Sequence, residues 1–325
     1  CNCALCEGKA TRARGWNGRL SDYVWSYVNR VAKELYKTHP DKMISGLAYT
    51  SYQQPPAKIE KLSPNIAVIM CRWRSNFHND TTRRKFLDLR NAWLAKLPSK
   101  DYYIWDYYLH NRPYGSWKGV PVLYPHIIAE DLRSLKEVSN GERVSVWRNY
   151  PPRNIKWHAL AANHLNVYVT ARLYWDANRE IEGLLDRYYT DFYGPAAAEM
   201  RKFMQYAENN WMNALQDVAV IDELFRRLQA AREAAGDGVY AERITLLTDY
   251  MQPLKEKRDK LAEGRRNVPE AYAVSRDEAD IKLDGRLNEP IWDEPPVYEL
   301  KELQKGNKPK RRTRSEEHTS ELQSP

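Results

Sequence analysis

Apolar residues along this chain follow two different periods, and the change between them divides it. Up to about residue 150, short runs rich in Ile, Val and Tyr alternate with stretches whose apolar positions recur every three to four residues. Residues 21–37 form the first helical stretch: Val24, Val28, Val31 and Leu35 fall on one face, with Ser21 placed to cap the start. MISGLAY, 43–49, reads as a buried strand, and NIAVIMCR, 65–72, as a second. A helix over 82–97 ends at Pro98; then come a strand over 102–108, a helix over 127–138 and a strand over 143–148. From Asn154 the pattern is helical throughout, in segments near 157–175, 180–193, 196–215, 220–235 and 240–263.

Strands that alternate with helices predict a parallel sheet. Four such units followed by helices fit the C-terminal half of a (β/α)8 TIM-barrel-like domain, and also half of an open doubly wound sheet. Two features favour the barrel. No Gly-rich phosphate loop follows any strand, and the strand ends carry the aromatic and polar residues of a barrel mouth. The expected organisation is a partial α/β barrel over 1–175, a helical extension over 176–264 and a linker over 265–279.

The stretch DIKLDGRLNEPIW, 280–292, changes character again. Ile281 and Leu283 alternate with Lys282 and Asp284, and Asp284-Gly285 is a turn dipeptide. Its order of strand, turn, acidic segment and Trp resembles the opening of carbohydrate-binding β-sandwich modules similar to family 9; an ordinary hairpin at a domain edge fits the local pattern as well. The resemblance implies a truncated sandwich over 280–313, too short to be stable alone. RSEEHTSELQS, 314–324, resembles a translated sequencing adapter and lacks any apolar period, so 314–325 is set aside from the fold. With Cys1 in place of an initiator Met, the expectation is a fragment at both ends, its signal peptide lost.

Composition adds less. Tyr numbers 22 and Trp 11 against 5 Phe, a choice that suits wet, sugar-stacking surfaces but also a large core. The net charge of +8 invites a nucleic-acid reading. Much of it, however, sits in the basic cluster 305–314; elsewhere Lys and Arg are interspersed with Asp and Glu, and no nucleic-acid motif occurs. Nucleic acid is therefore not expected as a partner, and no run approaches the ~18 apolar residues of a membrane span. The elbow of serine hydrolases, the HExxH zinc helix and the phosphate loop are all missing from the sequence.

Five segments in order carry a second resemblance: CNCALC, SDYVWSYVNRVAKEL, ISGLAYTSYQQPP, YYIWDYY and ARLYWDANREIEGLLDRYYTDFYGPAA. Over about 1–211 they look like domain-of-unknown-function family 4838, a barrel group related to glycoside hydrolases. The resemblance implies a secreted or otherwise extracytoplasmic protein of polysaccharide-degrading bacteria, with a polysaccharide or oligosaccharide as partner and no cofactor.

In a barrel the site lies at the C-terminal strand ends. Here those ends present Tyr49 and Tyr52, then Arg72 and Trp73, then Asp106, Tyr107 and Tyr108, and last Trp147 and Arg148. Asp106 is the carboxylate among them and the catalytic candidate, as general acid or base; it could equally accept a sugar hydroxyl, or structural hydrogen bonds from Tyr or backbone. Strand alternation places it with Ile104 and Tyr108, expected to point inward. Glycoside hydrolysis asks for two carboxylates. Glu142 precedes the predicted fourth strand and is expected on the opposite face, so the partner is expected upstream and the fragment inactive alone. The aromatics could stack on sugars or pack under helices, and Arg72 or Arg148 could pair with a uronate. Buried Arg72 would need an anionic partner. Cys1, Cys3 and Cys6, with distant Cys71, could ligate zinc or form two disulfides; a structural role is expected rather than a catalytic metal. His78 and His110 read as surface or loop residues, and Asn79-Asp80-Thr81 is a formal glycosylation sequon. The expected function is a glycoside-hydrolase-like protein acting on extracellular polysaccharide, with a non-catalytic glycan-binding or scaffold protein as the alternative.

Overall fold

A computed structural model describes residues 8–108, 119–145 and 158–266. The chain divides into the units Cys1–Ala262 and Glu263–Pro325, and the architecture below is that of the first. The expected sandwich start, the adapter-like segment and the linker beyond residue 266 lie outside the described residues, as do Cys1, Cys3, Cys6, His110, Trp147 and Arg148.

Four strands, β1 (Ile44–Ala48), β2 (Ile66–Arg72), β3 (Tyr102–Tyr107) and β4 (Gly141–Ser145), form one sheet in the order β1-β2-β3-β4. Every pairing is parallel. Helices α1 (Ser21–Thr38), α2 (Asp80–Leu94) and α3 (Pro125–Leu135) precede or connect the strands. Five further helices follow: α4 (His158–Trp175), α5 (Ile181–Tyr193), α6 (Ala197–Asn210), α7 (Val218–Ala235) and α8 (Val239–Arg266). None of the described helices is long and apolar enough to cross a membrane.

The helices that touch the sheet lie against one face. Gly46 of β1 has no side chain because the Trp25 ring of α1 fills the space: a Cβ there would come within 2.6 Å of it. Asp131 of α3 meets Arg72 of β2, and Thr170 of α4 meets Tyr108 just beyond β3. Strand alternation does the rest. Tyr102, Ile104 and Asp106 are buried toward the helices, while Tyr103, Trp105 and Tyr107 are half-buried on the other face.

Several expectations need correction. Ser21 does not cap α1; the N-cap position is Leu20, and the buried Ser21 hydroxyl has no hydrogen-bond partner among the described residues. The buried face of α1 runs through Ser21, Trp25, Asn29 and Ala32, leaving Val31 39% exposed, because the bulky Trp25 sets the contact line. β1 is not buried throughout: Met43, Ser45 and Leu47 are exposed at this edge of the sheet. α2 starts two residues early, where Asn79 accepts a hydrogen bond from the Thr82 amide, the sequon asparagine thus serving as an N-cap. β4 begins at Gly141, which brings Glu142 inside the strand opposite Ile104.

Candidate functional site

The strand-end residues split between the two faces of the sheet. Trp25 Nε1 donates to the Tyr52 carbonyl at 3.0 Å and Trp93 Nε1 to the Gln53 carbonyl at 2.8 Å, fixing the exit of β1. Gln53 Nε2 in turn donates to the Cys71 carbonyl at 2.9 Å, tying that exit to β2. On the face away from the helices, Tyr49, Tyr52, Cys71 and Tyr107 lie close enough to perturb one another: burial, then Cys71, raise both tyrosine hydroxyls at 52 and 107. Burial pushes the Cys71 thiol up to about 11 against a hydrogen bond with Tyr107. Cys71 is buried and forms no disulfide among the described residues, while its expected partners Cys1, Cys3 and Cys6 lie outside them.

Beside this group the rings form a row. Trp73 stacks on Tyr107 with centroids 5.0 Å apart, and Tyr107 on Trp105 at 6.2 Å, with interplanar angles of 27° and 25°. Trp105 Nε1 donates to Ser145 Oγ at 3.1 Å, and the Arg143 guanidinium lies 4.1 Å from the Trp105 ring centroid. Trp73 Nε1 is buried with no hydrogen-bond partner among the described residues. Trp105 and Arg143 were not singled out from the sequence, although strand alternation already aligned Trp105 with Tyr107.

Arg72, Asp106 and Tyr108 point the other way, into a charge network between sheet and helices. Arg72 forms a two-pronged pair with Asp131: Nη1 donates to Oδ1 at 3.1 Å and Nη2 to Oδ2. Its guanidinium is thus held by a protein carboxylate. Arg74 is fully buried at the centre. It donates to Asp131 Oδ2 at 2.7 Å, to the Tyr108 hydroxyl at 2.6 Å and to both Glu142 oxygens at 2.8 and 2.9 Å. Asp106 Oδ1 accepts the backbone N–H of Arg74 at 3.0 Å and of Tyr107 at 2.7 Å. Asp106 Oδ2 is in ion-pair range of Arg74 Nη1 at 3.3 Å but accepts no hydrogen bond among the described residues. Glu142, expected on a remote face, points into this network instead, because β4 starts early enough to place it opposite Ile104.

Three carboxylates face two guanidiniums, and that imbalance falls on Asp106. Burial, with Glu142 adding to it, pushes Asp106 up to about 6 against the pull of Arg74 and Arg72. Burial also works to raise Asp131, but Arg72 and Arg74 outweigh it and hold that carboxyl below its ordinary value. Both arginines stay charged, the carboxylates overcoming the cost of burial. Arg74 and Asp131 were missed in the sequence, yet each had a signal. Arg72 and Arg74 are two apart at a strand end, and Asp131 falls on the apolar stripe Ile128, Leu132 and Leu135 of α3. His78 is surface-exposed, as expected; its ring Nδ1 lies 2.7 Å from the Ser75 carbonyl oxygen. Among the described residues no group of three His, Cys, Asp or Glu is placed to hold a metal ion.

The family model described as domain of unknown function (DUF4838) matches residues 1–206, well over half of the 325 residues. The chain belongs to this family. The DUF4838 match takes in all four strands and reaches into α6, so both the aromatic row and the charge network lie inside it. Comparison with curated proteins and with solved structures returns no match.

Proposed function

We propose that this DUF4838 domain handles glycans, as a glycoside-hydrolase-like barrel whose sugar-binding surface is the helix-free face of the sheet at its C-terminal end. The observation that carries the reading is the row Trp73–Tyr107–Trp105, half-buried on the face opposite the helix contacts of the described residues. Parallel strands wound in sequence order with helices on one side are the arrangement of a (β/α)8 barrel. In a closed barrel the helix-free face is the interior, and its C-terminal rim is where sites form. Tyr49, Tyr52, Trp73 and Tyr107 belong to this surface.

Within the described residues, binding is better supported than bond cleavage. Asp106 and Glu142 are both turned toward the helices and share the Arg74 guanidinium, an arrangement poorly suited to bracketing a glycosidic bond. Asp106 acts instead through its neighbours: it holds the amides of Arg74 and Tyr107, and so sets the backbone on which Trp73 and Tyr107 are mounted. Hydrolysis of extracellular polysaccharide then belongs to carboxylates outside the described segments, and an extracytoplasmic setting accords with the family-9-like stretch at 280–292.

The test is retention on a panel of immobilised neutral and acidic polysaccharides by affinity electrophoresis. Wild-type protein is expected to be retarded by at least one of them, and Trp73→Ala to lose roughly tenfold in affinity, the upper end of what one ring-on-ring contact contributes. Failure of the wild type to bind any glycan of the panel would overturn the reading.

A further inference from the structure

Resting on that glycan-binding reading, the geometry points to the class of sugar. Arg143 is exposed on β4, its guanidinium 4.1 Å from the Trp105 ring centroid at the end of the aromatic row. Among the described residues no carboxylate pairs with it, in contrast to Arg72 and Arg74, whose guanidiniums pair with carboxylates on the opposite face. Register places Arg143 directly opposite Trp105, and Trp105 is fixed in turn by its hydrogen bond to Ser145. The stacked ring restrains the planar fork, so less freedom is lost when it binds an anion. A guanidinium held over the last ring of an aromatic row suits a carboxylate on a sugar ring, with the ring against the aromatics and the carboxylate on the fork.

We propose that Arg143 makes this surface selective for glycans that carry carboxylates, uronate-containing chains, over their neutral counterparts. The anion-binding groups of the site are thus divided by sheet alternation: Arg72 serves the fold, and Arg143 serves the ligand.

The experiment compares the full chain with a homogalacturonan oligosaccharide and with the same oligosaccharide after carboxyl reduction, by calorimetry at about 0.15 M salt, where long-range attraction to the basic chain is screened. Wild type is expected to favour the acidic form by roughly tenfold, the size of one charge-assisted contact. Arg143→Gln should bring acidic binding down to the neutral level, with a urea unfolding midpoint like that of wild type reporting an intact fold. Arg143→Lys should restore part of the preference. Arg187→Gln on α5 removes the same net charge from a residue paired with Asp191 and should change nothing. Equal binding of both oligosaccharides by wild type overturns the selectivity while leaving glycan binding in place. So does an equal loss in the Arg143 and Arg187 variants, which would assign the preference to net charge. Absence of binding to either sugar overturns the uronate proposal, and the glycan reading falls with it only if the polysaccharide panel is not bound either.

Discussion

Asp106 and Asp131 share one charge network and titrate in opposite senses. Asp106, raised to about 6 from an ordinary 3.8, binds its proton more tightly folded than unfolded. Its contribution to stability is therefore complete below about pH 4 and is lost as pH rises through 6. Asp131, held low by Arg72 and Arg74, behaves the other way: its contribution is present above the ordinary carboxylate range and fades only at lower pH. Asp106→Asn keeps a side-chain oxygen for the two amide donors and removes the titration. Urea unfolding at several values between pH 4 and 7 should show a flatter stability profile for the variant, by on the order of 2 kcal/mol across that window. A profile as steep as wild type's would show that Asp106 is not the titrating group. Arg74→Met is the harsher change. It strips the guanidinium from Asp106, Asp131 and Glu142 at once, and should cost about 3–5 kcal/mol in the same assay.

At the level of elements, the strands were legible because Ile, Val and Tyr run in short blocks between turn residues, and helix positions followed from apolar spacing. The ends were legible only where the deciding interaction is local. Asn79 capping α2 is local; the start of β4 is not, since the Asn140 amide bonds to the Tyr102 carbonyl at 2.9 Å and pulls Gly141 and Glu142 into the ladder. The sequence GERVS does not announce that pairing. The partner of Arg72 lay out of view for the same reason: Asp131 is 59 residues away and meets it only after α3 has packed. Residues that look like a single strand-end cluster in the sequence, Arg72 with Trp73 and Asp106 with Tyr107, are separated by the thickness of the sheet. Two element-scale outcomes follow from the packing. Gly46→Ala sets a methyl group into the Trp25 ring and should destabilise by roughly 1–3 kcal/mol as α1 is forced away. Asn79→Ala removes the α2 cap and should cost about 1 kcal/mol, read as a lower urea midpoint with helix content nearly unchanged.

For the molecule as a whole, the family match ends before the packing does. Ile221 and Leu224 of α7 and Ile244 and Met251 of α8 are fully buried, although they follow residue 206. Tyr250 donates its hydroxyl to the Val120 carbonyl at 3.0 Å, and Gly119 sits so close to the Leu254 amide that a Cβ would come within 2.8 Å. A chain ending at residue 206 should therefore bind hydrophobic dyes and lose cooperative unfolding, whereas one ending at 266 should keep it. The alternation of β3 has a consequence that reaches past stability. Substitutions at 104, 106 and 108 should lower cellular abundance, because these side chains are sealed beneath the helices. Substitutions at 103, 105 and 107 should leave abundance largely intact and alter glycan retention. A saturation library scored by both readouts would show the two phenotypes interleaved position by position. Drift in ligand preference could then proceed along odd-numbered positions while the even ones stay under purifying selection, so that relatives could share this scaffold and differ in the sugars they hold.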